Sequence, residues 1–229
     1  MSMSRCAMNS NKVLWFYELR RIASTPSSHI VLGLGLFLAV ASPLTAWFMP
    51  DIIQNLPMPE PTWRDSYGQW EKNLHQVISI AIIIVSAHGI SGGLSGGEAV
   101  LVLSRNVSRR AYISSKVFSY YALSVGVVTL GTLIVWGATN VVFGEAALLA
   151  RRSGEWFMQM TLVLAMITGA AVIWQRMVAA AGVGCAVFLL MQLGAIWESA
   201  PPAWVSVPLA CVVLYAAMWL YDRREIRGD

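Results

Sequence analysis

Gly92-Gly93-Leu94-Ser95-Gly96-Gly97-Glu98-Ala99-Val100-Leu101-Val102-Leu103-Ser104-Arg105-Asn106-Val107-Ser108-Arg109-Arg110 interrupts a chain that is otherwise apolar enough to lie in lipid. Four glycines, one carboxylate and three arginines fall within these nineteen residues. Such a stretch must face water, and its basic balance predicts the cytoplasmic side of a membrane. The remaining sequence divides into hydrophobic blocks on either side of it.

Apolar residues make up 57% of the 229 and charged ones only 12%, against roughly 25% charged in soluble domains. The apolar residues form six blocks, each long enough to cross about 30 Å of hydrocarbon at about 1.5 Å per residue. The predicted spans are 30–49, 73–93, 117–143, 158–174, 178–197 and 204–221. An Ala39-Val40-Ala41 triplet imitates a signal-peptidase site. The charged segment ahead of it is too long for an ordinary leader, so this span is expected to be retained.

With both termini on the side of the glycine-rich break, twelve basic residues face five acidic ones there, and four face seven on the other side. That asymmetry satisfies the positive-inside rule. It accounts for the net charge of +4 without nucleic acid.

Residues 1–11 read as disordered. Lys12 to Ala23 predict a short interfacial helix, with Trp15, Phe16, Leu19, Ile22 and Ala23 on one arc and Glu18 and Arg21 opposite. Pro50 to Lys72 predict a compact external loop with boundary aromatics Trp63, Tyr67 and Trp70. A second external loop is expected at 145–155, a tight turn at Gln175-Arg176 and a third external turn at Glu198–Pro202. Gly182 and Gly184 predict close helix packing. Ser79 and Ser86 are expected to bond to their own helix carbonyls, and His88 to sit at the inner interface.

Three apparent signatures fail on chemistry. Leu94-Ser95-Gly96-Gly97-Glu98 resembles an ATPase signature loop, but no G-x-x-x-x-G-K-[ST] occurs in the chain. Gly89-Ile90-Ser91-Gly92-Gly93 fits G-x-S-x-G, yet His29, His75 and His88 are the only histidines and none lies on a later span to serve as base. Cys6, Cys185 and Cys211 are too scattered for a disulfide framework or a metal site. The predicted spans carry almost no ionisable side chains, which argues against ion-coupled carriage.

Glu18-Leu19-Arg20-Arg21, Ser42-Pro43-Leu44-Thr45-Ala46, Ile90-Ser91-Gly92 and Leu103-Ser104-Arg105-Asn106-Val107-Ser108-Arg109 with Lys116 together resemble the permease subunits of ABC-2 type transporters. The family pattern is similar to I-S-G-E-K-E-x-G-T-x-E-x-L-L-S-R-P-V-S-R followed by a lysine, at the same spacing. Gly93, Leu94 and Ser95 stand where Glu, Lys and Glu are usual, Glu98 where Thr is common, Val100 for Glu and Asn106 for Pro.

The resemblance implies an all-α, six-span permease of the bacterial inner membrane with cytoplasmic termini, divided into residues 1–29 and 30–229. It implies an elbow helix carrying Trp15, Glu18, Arg20 and Arg21. It also implies an ATPase-coupling segment carrying Gly97, Glu98, Leu101, Arg105, Ser108, Arg109 and Arg110. Such a subunit has no active site, metal or cofactor of its own; ATP and Mg would be held by partner ABC ATPase subunits. A second permease, identical or more typical, would complete the assembly among membrane lipids. The expected function is export of an amphipathic or hydrophobic compound, a drug, peptide antibiotic or lipid. The alternative is a non-transporting anchor or sensor coupling an ATPase to a partner protein.

Overall fold

The computed structural model describes residues 2–52, 60–95, 97–105, 107–144, 146–149, 151–196 and 203–223. Almost all of them are helical, with no strand among them: α1 (Ser2–Ser24), α2 (Pro26–Ile52), α3 (Trp63–Asn73), a π turn (Leu74–Ile78), α4 (Ser79–Ser95), α5 (Glu98–Leu103), α6 (Arg109–Phe143), α7 (Arg151–Trp174), α8 (Met177–Ile196), a 3₁₀ turn (Ala203–Val205) and α9 (Ser206–Arg223).

Among the described residues, five helical stretches are long and apolar enough to cross a membrane: Pro26–Met49, Trp63–Ser95, Arg109–Phe143, Arg151–Trp174 and Met177–Gly194. The chain therefore reads as a multi-pass membrane protein. The sixth predicted block forms α9, but its last turn is Tyr221-Asp222-Arg223, which leaves it short of apolar residues.

Several boundaries move. The first helix begins at Ser2, not Lys12. The expected 50–72 loop contains α3, which runs through the π turn into α4. Asp65 starts α3 by accepting from the backbone N and the hydroxyl of Thr62, both at 2.8 Å. Its aromatics do not mark a boundary: Trp70 and Tyr67 are buried, and Trp70 lies against Gly131 of α6, where a Cβ would sit 2.4 Å from the indole. The second expected loop is shorter too, since α7 starts at Arg151.

At Gln175 the tight turn is as expected, and its φ of 51° marks the reversal between α7 and α8. Gly144, with φ 78°, ends α6 in the left-handed conformation that glycine accepts without strain. Of the paired glycines, only Gly184 is a contact point, packed on Ile167 and Ile83; Gly182 faces open space. The turn at 198–202, the tail after 223, Pro57, Pro59 and Asn106 lie outside the described residues.

α7 is central, packing against α4, α6, α8 and α9. α2 and α3 lie along α6, and α1 crosses its first turns. The outer faces of α2, α6, α8 and α9 expose Phe37, Leu133, Leu190 and Val212, a lipid-like surface. At 35 residues α6 is about 52 Å long, well beyond about 30 Å of hydrocarbon. That surplus lets its first turns stand clear of the apolar layer.

Candidate functional site

The glycine-rich break folds as helix, turn, helix. α5 follows Gly97 and carries Glu98 in its first turn, where a negative charge favours the helix dipole. Its end is wound by Ser104 N donating to Val100 O at 3.0 Å and Ser104 Oγ to Leu101 O at 2.8 Å. Ser108 then caps α6, its Oγ accepting from Ala111 N at 3.2 Å.

Behind α5 lies a closed ring of four charges. Lys116 Nζ is 2.9 Å from Glu98 Oε1 and 3.4 Å from Glu18 Oε1. Arg21 Nη2 is 2.9 Å from Glu18 Oε2, and its Nη1 is 3.5 Å from Glu98 Oε2. Each cation thus bridges both carboxylates, joining α1, α5 and α6. Glu18 and Lys116 are sealed, at 0% and 1% exposure. Burial opposes the charge on Arg21, but Glu18 and Glu98 outweigh it and hold its pKa above the usual value.

The ring corrects one expectation. The helical wheel sets Glu18 opposite the apolar arc, yet among the described side chains of α1 it is the most enclosed, while Phe16 and Tyr17 are exposed. Lys116, just ahead of the third predicted span, lies two turns inside α6. An uncompensated charge there would be costly, so Lys116 draws Glu18 inward.

The floor of the ring is α4. A Cβ on Gly93 would lie 2.5 Å from Lys116 Nζ, and one on Gly89 1.5 Å from the Tyr120 hydroxyl. Tyr112 donates its hydroxyl to Gly93 O at 2.7 Å, and Lys116 stands 4.9 Å from the Tyr112 ring centroid. Gly89 and Gly93 are one helical turn apart, so their G-x-x-x-G spacing opens a trough for α6. Both glycines of the G-x-S-x-G match thus have a packing role, and Ser91 Oγ between them is buried with no hydrogen-bond partner among the described residues.

The other predicted coupling residues face outward or clasp α9. Leu101 is 70% exposed, and Gly97 and Arg105 are exposed. Arg109 Nη1 donates to Asp222 O at 3.1 Å, and Arg110 pairs with the Asp222 carboxylate. In α1, Trp15 meets Phe118 with ring planes tilted by 50° and centroids 4.8 Å apart, and Arg20 is exposed. The structure therefore gathers Glu18, Glu98 and Arg21, leaves Leu101 and Arg105 projecting, and assigns Ser108, Arg109 and Arg110 to positioning α6.

A second site lies at the opposite end, where Arg152 pairs with Glu71. A cavity of about 810 Å³ opens between α4, α7 and α8. Charged and amide groups line one end, among them Lys72, Gln76, Gln159 and Gln192, and apolar residues line the other, with Ile83 and Phe188 buried and Ile80 and Leu189 open at the edge. The π turn shapes its wall. Ser79 Oγ donates to Leu74 O five residues back at 2.7 Å and accepts from Trp156 Nε1 at 2.8 Å, so Trp156 braces the wide turn from α7. π turns of this kind recur at functional sites.

The sequence reading missed this cavity, treating the spans as nearly free of polar chemistry. Three glutamines, one on each of three long apolar stretches, were the available signal. Ser86 donates to Ile82 O, as expected, and takes no part in the cavity. Cys185 lines the cavity as a free thiol, and no cluster of metal-binding side chains occurs among the described residues. No family model, curated protein or solved structure matches the chain.

Proposed function

We propose that this chain is the membrane permease subunit of an ATP-driven exporter, energised by a separate ABC ATPase and moving an amphipathic or hydrophobic compound. In this reading α5 is the coupling helix, α1 the elbow helix and α9 the sixth span. The termini and α5 face the cytoplasm of a bacterial cell. The chain contributes no catalytic group; nucleotide and Mg belong to the ATPase.

The observation that carries the reading is the division of labour within α5. Its inner face is locked through Glu98 to Lys116 and Arg21, while Leu101 and Arg105 point away from the bundle. A short helix presenting an apolar knob and a cation, and fastened to two other helices by charges, suits transmission of a partner's movement. ATP-driven closure of the ATPases would shift α5, and the ring would carry that shift to α1 and α6 as a change between two states.

Bundle geometry supports a second permease copy or a non-identical permease alongside. α8 exposes Leu189, Leu190 and Leu193 on one side, and lipid or a neighbouring chain satisfies such a face. A heteromer is favoured because Gly93, Leu94 and Ser95 lack the acidic groups a typical coupling segment offers. The reading as a non-transporting anchor leaves the cavity without a role.

The test is reconstitution in liposomes with the ATPase that co-purifies. ATP hydrolysis stimulated by an amphipathic compound supports transport. Stimulation only by a protein partner supports the anchor.

A further inference from the structure

The cavity between α4, α7 and α8 has four charged side chains at its mouth, Glu71, Lys72, Arg152 and Glu155. Glu71 pairs with Arg152, and Glu155 pairs with Arg151 at 3.0 Å. Lys72 also lines the cavity and makes no ion pair among the described residues. Around it stand carboxamides: Gln76, Gln159 and Gln192 also line the cavity, and their amide N–H groups are donors that an anionic oxygen can accept from.

Below the mouth the lining turns apolar at Ile80, Ile83, Phe188 and Leu189. From Glu71 to Ile83 the helix descends about 18 Å, more than half the thickness of the hydrocarbon layer. A volume of about 810 Å³ lies within the range of sites that enclose a small organic ligand. One spare cation, flanked by amides, thus stands over a long apolar slot that runs along the membrane normal.

We infer that this cavity binds a single-chain amphiphile with one negative charge on its headgroup, with Lys72 and the glutamine amides holding the headgroup and the tail lying between α4 and α8. The inference rests on the proposed export function for its biological meaning, since it names the class of compound moved. The binding itself requires no ATPase. Two oppositely charged groups at the mouth are already paired with each other, so a cationic headgroup would meet Lys72 as a like charge, whereas an anion gains it as a partner.

The test uses the purified full chain in neutral detergent with two probes, palmitate carrying a diazirine on its chain and the corresponding long-chain alcohol. Photolabelling is read by mass spectrometry of peptides from α4, α7 and α8. Saturable labelling at Ile80, Ile83 or Leu189 is expected, stronger for the acid. Lys72→Gln should weaken the acid about tenfold, the scale of one charge-assisted hydrogen bond, and leave the alcohol unchanged. Ile80→Trp, which fills the slot from a partly exposed position, should suppress both probes. Equal labelling by acid and alcohol in the unmodified chain, insensitivity to Lys72→Gln, label dispersed over all helices, or cross-links joining two chains through the cavity would each overturn the inference. Failure here with substrate-stimulated ATPase activity intact would leave the export reading standing and remove only this ligand class.

Discussion

Glu18 and Lys116, 98 residues apart in the chain, meet at 3.4 Å with both side chains closed to solvent. Lys116 also reaches Glu98 and Glu18 also reaches Arg21, so removing one charge leaves three unbalanced ones. Breaking a buried pair in this way costs about 3–5 kcal/mol. Lys116→Met should therefore lower the unfolding midpoint sharply in detergent. Glu18→Gln combined with Lys116→Met leaves Arg21 and Glu98 as a balanced pair and should recover much of the loss. A double variant whose loss equals the sum of the two single losses would show that the charges are not coupled.

The glycines of α4 divide by what lies over them. Gly89 and Gly93 lie under Tyr120 and Lys116, whereas a Cβ on Gly92 meets nothing within 4 Å. Gly89→Ala should destabilise the chain by several kcal/mol through displacement of the Tyr120 ring. Gly92→Ala should be neutral or stabilise it by up to about 1 kcal/mol, the helix-propensity difference between the two residues. Thermal midpoints of the two variants, measured side by side, check the ordering.

Arg109 holds the end of α9 by donating to the Asp222 carbonyl, a cation placed where the helix dipole is negative. Arg109→Ala should leave the global midpoint nearly unchanged but speed hydrogen exchange over residues 218–223. Arg110 forms a more exposed pair with Asp222, worth at most about 1 kcal/mol. Arg110→Ala should accordingly have the smaller effect on the same peptides.

The brace on the π turn is a single neutral hydrogen bond, Trp156 Nε1 to Ser79 Oγ at 2.8 Å. Trp156→Phe keeps most of the ring volume and removes the donor, so the expected loss is about 1 kcal/mol. Exchange protection should fall over residues 74–79 while that of α9 stays as it was.

The membrane architecture was legible because it follows from composition: long apolar runs, a basic break and a turn at Gln175-Arg176 require no tertiary information. The end of α6 at Gly144 and its start at Ser108 are likewise local signals. Loops come out too long from sequence because charged residues such as Arg151 and Glu71 resemble loop markers, yet helices at a membrane boundary carry charges on their first and last turns. The charge ring was hidden for another reason. A helical wheel shows which residues share a face, but it does not show that α6 brings Lys116 beneath α1 and so turns the polar face inward. The cavity needed the same long-range knowledge, since Gln76, Gln159 and Gln192 lie far apart in sequence and only the packing of α4, α7 and α8 brings them together.

If α5 receives force from a separate ATPase, its exposed knob must touch that protein in the cell. A photo-crosslinking amino acid at Leu101 should capture, in native membranes, a protein carrying the nucleotide-binding sequence G-x-x-x-x-G-K-[ST], and the same residue at Leu190 should not. Arg105→Glu should reduce that capture without changing the unfolding midpoint. Capture of no nucleotide-binding protein from Leu101, or labelling of a cysteine at that position by an impermeant reagent applied outside intact cells, would contradict the proposed coupling.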